Sequence, residues 1–282
     1  IPYIENTRNP EYAERLERAG VPILPPVVYA MDILKKLSDF VEYNVDERVL
    51  ELGLPKDKGP KTNRFLSEHE SKNMLKEAGV PVPKEAIART KEEALKIARE
   101  ISYPLVMKIE SADIPHKSDA GGVKLNIQSE EEVLKTFDEI MENVKRYNPN
   151  ARINGILMQE MLPKGLELIV GVNNDPLYGP MILCGLGGVF VEVFKDVSLY
   201  PAPLNKIEAM EMIKSLKAYP LLTGYRGSNE LDIEALADLI VKVANFAVEN
   251  KERIAEIDIN PVFLYEKGKG LSVADSLILV KE

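Results

Sequence analysis

Near the C-terminus the run Glu256-Ile257-Asp258-Ile259-Asn260-Pro261-Val262 alternates oxygen-bearing and aliphatic side chains. In extended chain successive side chains point to opposite faces, so Glu256, Asp258 and Asn260 share one face and Ile257 and Ile259 the other. Same-face neighbours lie about 7 Å apart along a strand, close enough for their oxygens to converge on one ion. The turn-rich stretch Glu266–Gly270 then sends the chain back as "LSVADSLILV". If pairing begins with Tyr265 opposite Leu271, Asn260 falls opposite Ser276, with Asp275 one residue away. Carboxylates and an amide on a hairpin are hard oxygen ligands suited to Mg²⁺, and Glu256, Asn260 and Asp275 are the candidate ligands. A solvated strand face has the same composition, so the glycine loops upstream decide between the two.

Two glycine clusters flank predicted strands. In "HKSDAGGVKL", Lys117, Gly121 and Gly122 fall in a turn after the Lys108 strand; in "CGLGGVFVE", Gly185, Gly187 and Gly188 form a second junction. Glycine lets backbone N–H groups approach an anion with no Cβ in the way. Neither cluster has P-loop or dinucleotide-fingerprint spacing, and either alone reads as a tight hairpin. Combined with Lys108, Lys117 and the acidic hairpin, they offer the cations, donors and metal ligands that a polyphosphate needs. The segment "ILMQEMLPKGLELIVGV" adds a strand ending at Gln159-Glu160-Met161 and a bend at Pro163 and Gly165. Such a hinge can present backbone groups to the edge of a base and an apolar slot to its ring. Glu167 could accept hydrogen bonds from ribose hydroxyls. An ordinary linker between two strands would look the same.

The elements that must position these groups follow from caps and periodicity. Ser67 with Glu70, Thr90 with Glu93 and Ser129 with Glu132 read as capping boxes opening three helices. Ala94, Ile97, Ala98 and Ile101 form the apolar stripe of the second, and Val133, Phe137, Ile140 and Val144 that of the third. Strands are predicted at "PLVMKIE", "GVKLNI", "GILMQEM", "LELIVGV", "PMILCG" and "VFVEVF", and further helices near Asn205–Leu216 and Asp232–Asn250. The expected fold class is α+β with mixed or antiparallel sheets flanked by helices. Residues 1–44 read as a short α/β extension, the tail of a domain whose body lies elsewhere, and 45–65 as a linker.

The 282 residues carry a net charge of −9, which argues against nucleic acid or an anionic membrane as partner. No run of about 20 apolar residues exists to span a bilayer, and the first residues show no secretory pattern. A single cysteine, Cys184, suits a reducing cytoplasm.

In order, "LSEHESKNMLKEAGVPVP", "YPLVMKIESADIPHKSDAGGVKL", "ILMQEMLPKGLELIVGV", "GLGGVFVEVFKD" and "EIDINPV…VADSLI" resemble an ATP-grasp domain, most nearly that of the ADP-forming acyl-CoA synthetases, relatives of succinyl-CoA synthetase. The resemblance implies two lobes, the larger from residues 66–84 and 159–282 and the smaller from 85–158. It also implies that residues 1–44 end a CoA-ligase domain. It places Lys108 on the nucleotide phosphates, the backbone of Glu160, Met161 and Leu162 at adenine, and Glu167 at the ribose. Gly187 and Gly188 would line the phosphate end of the cleft, and Asn260 and Asp275 would hold Mg²⁺. Asp258 stands where the family has a glutamate near a phosphorylated histidine, as a ligand or, preferably, an orienter.

The reaction implied is acid, CoA and ATP to acyl-CoA, ADP and phosphate, through phosphoryl transfer to a histidine. The CoA-binding unit and the mobile histidine would come from partner domains or a partner subunit, in a hetero- or homo-oligomer. A histidine in the "HKSD" context can itself be phosphorylated, which makes His116 a candidate nucleophile beside a plain phosphate-binding role. His69, in a helix among polar neighbours, carries little claim to a role. Two rivals remain at this level: a carboxylate ligase that forms its acyl phosphate directly, and a non-catalytic nucleotide-sensing subunit.

Overall fold

Two antiparallel sheets, each with its own apolar core, organise residues 63–114, 116–188 and 196–281, the parts of the chain that this computed structural model describes. The expected tail over 1–44 and the predicted strand "VFVEVF" lie outside the described residues. The strands are β1 (Asn63–Phe65), β2 (Glu85–Ala88), β3 (Leu105–Glu110), β4 (Val123–Ile127), β5 (Gly155–Glu160), β6 (Leu166–Asp175), β7 (Gly179–Leu186), β8 (Val197–Pro201), β9 (Ile254–Leu264), β10 (Leu271–Val273) and β11 (Ser276–Lys281). The helices are α1 (Glu68–Glu77), α2 (Lys91–Ile101), α3 (Glu130–Tyr147), α4 (Lys206–Lys214), α5 (Tyr219–Leu222) and α6 (Ile233–Glu249).

The larger sheet has seven strands in the order β1-β11-β9-β6-β7-β8, with β10 also on β9; the smaller has four in the order β2-β5-β3-β4. Every strand pairing among the described residues is antiparallel, one of the two arrangements expected. Alternation along β6 and β9 turns Leu168, Val170, Val172, Ile257 and Ile259 to one face. There they pack with Met212 and Ile213 of α4 and Leu236, Ile240 and Val243 of α6. In the smaller sheet Leu105, Met107, Ile109, Ile156 and Met158 meet Ala94 and Ala98 of α2 and the α3 stripe Val133, Phe137, Ile140 and Val144.

The caps form locally and vary in detail. Ser67 and Glu70 complete a reciprocal box, Glu70 N–H donating to Ser67 Oγ and Ser67 N–H to Glu70 Oε2. Thr90 and Ser129 also cap their helices, but Glu93 and Glu132 reach one residue further back, to the amides of Arg89 and Gln128. Helix α1 packs on β11, where Ile278 N–H donates to Ser71 Oγ at 3.1 Å.

Two local expectations are corrected. The end of the expected linker, Asn63–Phe65, is an edge strand on β11; its three exposed residues give no alternation to read. The closing hairpin is one residue out of the expected register: Leu271 faces Leu264, and Ser276 faces Ile259. Asp232 causes the slip, its Oδ2 accepting from the amides of Gly268 and Gly270 at 2.9 Å each and holding a longer turn. Since side-chain period is two, the shift changes faces: Ser276 is buried, and Asp275 comes to lie across from Asn260, whose N–H donates to the Asp275 carbonyl. Among the described residues no helix is long and apolar enough to cross a membrane.

Ile140 is fully buried in the smaller core. Replacing it with alanine should cost about 2–5 kcal/mol in denaturant unfolding, whereas Leu125→Ala, at a position 63% exposed, should stay within about 0.5 kcal/mol.

Candidate functional site

Among the described residues, buried charge concentrates where α1 meets the smaller sheet. Glu68, 2% exposed, takes three ammonium groups: Lys108 Nζ at 2.6 Å and Lys72 Nζ at 2.7 Å on Oε1, and Lys117 Nζ at 2.7 Å on Oε2. Lys72 also contacts Glu85 Oε2 and donates to Gln159 Oε1 at 3.0 Å. Lys108 donates a second bond to the Ala274 carbonyl at 3.1 Å. His69 Nδ1 lies 2.9 Å from Glu85 Oε1, and its backbone N–H donates to buried Glu110. Burial alone would raise the Glu68 pKa, but Lys108, Lys72 and Lys117 together pull it far below the usual carboxylate range. Lys72 and Lys117 are held above the ordinary lysine value despite their burial, Lys72 by Glu68 and Glu85, Lys117 by Asp275 and Glu68.

Across from these lysines stands the closing hairpin. Asp275 Oδ2 is 3.8 Å from Lys108 Nζ and 4.0 Å from Lys117 Nζ. Its pKa is raised, burial and the Glu68 charge outweighing the attraction of the lysines. Asp258 is raised by burial and then by Glu256 and Asp275, and its Oδ1 is buried with no hydrogen-bond partner. The structure thus brings together Lys108, Lys117, Asp258, Asn260 and Asp275. It does not bring Glu256 to Asn260. They stand four residues apart on β9, about 13 Å, with Glu256 exposed opposite Asn173 and Leu279. Among the described residues no three His, Cys, Asp or Glu side chains group to hold a metal. Asn260 and Asp275 are joined through their backbones, Asn260 N–H donating to the Asp275 carbonyl at 3.2 Å; an amide and a carboxylate are the kind of oxygen donors that suit an ion keeping several waters.

The first glycine loop serves turn geometry. Gly122 N–H donates to the Lys117 carbonyl at 2.8 Å and Gly121 N–H to that of Ser118 at 3.0 Å, so these amides do not point at a ligand as the sequence suggested. A Cβ on Gly122 would stand 2.7 Å from Ile109 Cγ2, which is why the turn can close onto β3 only with glycine there. Closure places Lys117 beside Lys108. His116 opens this turn and is exposed.

The hinge leads into the start of β6, and the second glycine turn, just after β7, bonds back to it. Glu160 N–H donates to the Lys84 carbonyl at 3.0 Å, while Lys84 N–H donates to the Glu160 side chain, Oε1, at 2.8 Å, and Met161 N–H donates to the Pro104 carbonyl. The ladder stops at Glu160, and Met161 and Leu162 leave it half-buried. Gly187 N–H donates to the Glu167 carbonyl at 2.7 Å, and a Cβ on Gly188 would come within 2.7 Å of Glu167 Oε2. Gly187, Gly188 and the exposed Glu167 therefore stand together in one cluster.

Sequence reasoning missed Glu68, Lys72, Glu85 and Gln159. One signal was available: Glu68, Lys72 and Leu75 fall on a single face of α1, placing two charges on its buried stripe.

Residues 60–280 match the family model described as an ATP-grasp domain. The beta subunit of acetate–CoA ligase [ADP-forming] I from Pyrococcus furiosus is 53% identical over 210 residues, which is 74% of this chain and 90% of that one. Among solved structures, dinucleotide-forming acetyl-coenzyme A synthetase 1 from Ca. Korarchaeum cryptofilum, in complex with coenzyme A, Ca-AMPCP and HgCl+, is 49% identical with a TM-score of 0.74, covering 83% of this chain and 99% of that chain. The same enzyme with coenzyme A and Mg-AMPPCP, its phosphohistidine segment pointing towards the nucleotide binding site, gives 46% and 0.68 over 77% of this chain and 93% of that chain. The chain belongs to the ATP-grasp domain family, with the beta subunits of the ADP-forming acid–CoA ligases.

Because the folded pKa of Glu68 lies below its ordinary value of 4.5, its charge stabilises the fold above that pH, and the contribution fades as pH falls. Glu68→Gln should therefore destabilise strongly at pH 7 and progressively less below pH 4.5, as read by urea unfolding across that range. A stability gap that widens on acidification would contradict this placement of charge.

Proposed function

We propose that this chain is the phosphoryl-transfer module of an ADP-forming acid–CoA ligase, exchanging phosphoryl between ATP or ADP and a histidine. The observation that carries the reading is the pair of ammonium groups, Lys108 and Lys117, about to meet the Asp275 carboxylate at 3.8 and 4.0 Å from the opposite side of the cleft. Phosphate oxygens entering there would find two cations and, beside them, two oxygen donors for a divalent ion.

Phosphoryl transfer asks a protein chiefly for positioning and charge neutralisation. Lys108 and Lys117 would neutralise the β- and γ-phosphates, and Asn260 and Asp275 would hold Mg²⁺, which supplies Lewis-acid shielding when bound. The backbone of Glu160, Met161 and Leu162 would receive adenine and Glu167 the ribose. Glu256 takes no part in this reading. An imidazole nitrogen attacks the γ-phosphorus as the bond to the ADP oxygen breaks, leaving ADP and an N-phosphoryl group. His116 at the mouth of the Lys117 turn is the acceptor in this chain. Asp258, with an unpartnered oxygen in the cleft, would orient the histidine that a partner subunit brings. That partner would carry the CoA and acid sites and pass phosphoryl on through an acyl phosphate to the thioester. An ATP-dependent step of this kind and a single buried thiol suit the cytoplasm.

Asp275→Ala should lower phosphoryl transfer roughly a thousandfold or more, since a metal ion supplies several kcal/mol of charge stabilisation, and leave the fold intact. Wild-type turnover in that variant removes the metal assignment. His116→Ala should prevent incorporation of label from γ-³²P-ATP into the isolated chain, and undiminished, acid-labile labelling assigns the acceptor elsewhere.

A further inference from the structure

Lysines 108 and 117 have a common anchor that is not itself in the cleft. Both oxygens of Glu68 are used, one for each lysine, and Lys72 Nζ shares the oxygen that takes Lys108. Glu68 sits on α1, which packs against β11 of the larger sheet, whereas Lys108 belongs to β3 of the smaller sheet and Lys117 to the turn that follows it. One carboxylate thus fixes, from the far lobe, two long side chains that would otherwise sample many rotamers. Lys72 has only 1% of its side chain exposed and cannot reach a ligand. It connects Glu68 to Gln159, the residue immediately before the Glu160 hinge. A buried ionic network is often no more stabilising than an apolar core of the same volume, so burying this much charge calls for a reason other than stability.

We propose that Glu68 and Lys72 are positioning residues, a buried relay that holds Lys108 and Lys117 in place for the nucleotide phosphates and ties them to the hinge at Gln159. The inference rests on the nucleotide reading above. Glu68 acts through the two lysines and Lys72 acts through Glu68. The relay therefore governs the phosphate end of the ligand and leaves recognition of base and ribose unchanged. ADP carries the β-phosphate that this pair would grip, and AMP lacks it.

Affinity of the full chain for Mg²⁺-ADP and for AMP, measured by calorimetry, separates this role from a merely structural one. Glu68→Gln should weaken ADP binding about tenfold or more, the loss expected when charge-assisted hydrogen bonds are misplaced, and leave AMP within about twofold. Glu68→Asp keeps the charge, and with it the fold, but shortens the reach by one methylene. It should show the same selective loss even if the glutamine variant does not fold. Lys72→Met should reproduce the pattern in smaller measure, and Lys72→Arg should restore ADP affinity. ADP and AMP weakening by the same factor in folded Glu68→Asp, or neither weakening, overturns the relay. A wild-type chain that binds neither nucleotide instead removes the nucleotide reading itself, and the relay falls with it.

Discussion

The carboxylate of Glu68, buried beneath three ammonium groups, is the constraint on which the cleft depends. A charge out of water is tolerable only when its partners are complete, and removing one member of such a set typically costs about 3–5 kcal/mol. The cluster therefore has little freedom to rearrange. It joins α1 to β3, to the Lys117 turn and, through Lys72, to β2 and β5. The two sheets have separate apolar cores, and the Glu68 network supplies polar contacts that join elements of both.

The same cluster sets the electrostatics of the cleft. Lys72 and Lys117 are kept firmly cationic, while Asp275, Asp258 and Glu110 are all pushed towards the protonated form, by burial above all. Carboxylates strained in this way gain from a nearby cation, and lysines already shared among carboxylates gain from a second anion. A divalent ion carrying phosphate satisfies both at once.

What the sequence revealed and what it hid divide along the range of the interactions. Ser67 with Glu70 forms a complete box, and Thr90 and Ser129 cap their helices as read, because each cap and its amide partner are three residues apart. The stripe Val133, Phe137, Ile140 and Val144 was legible for the same reason. The hairpin register was not, because Asp232, 36 and 38 residues from Gly268 and Gly270, decides the length of the turn. Gly121 and Gly122 were read as anion donors because their type fits that use; only the folded turn shows their amides occupied by Ser118 and Lys117. Glu68 and Lys72 escaped the sequence reading because the partners that bury them lie from 13 to 87 residues further along the chain, at Glu85 and Gln159 among others. The order of five motifs carried the family, whereas the roles of single residues depended on contacts that no local pattern encodes.

The most direct test is a crystal of the full chain grown with ADP and Mn²⁺ in place of Mg²⁺, with the metal located by its anomalous scattering. The account requires the manganese peak within coordinating distance of the Asp275 and Asn260 side-chain oxygens, and the β-phosphate within hydrogen-bonding distance of Lys108 and Lys117 Nζ. Nucleotide density elsewhere, with both lysines still bound to Glu68 alone and the hairpin carrying no metal, would contradict it.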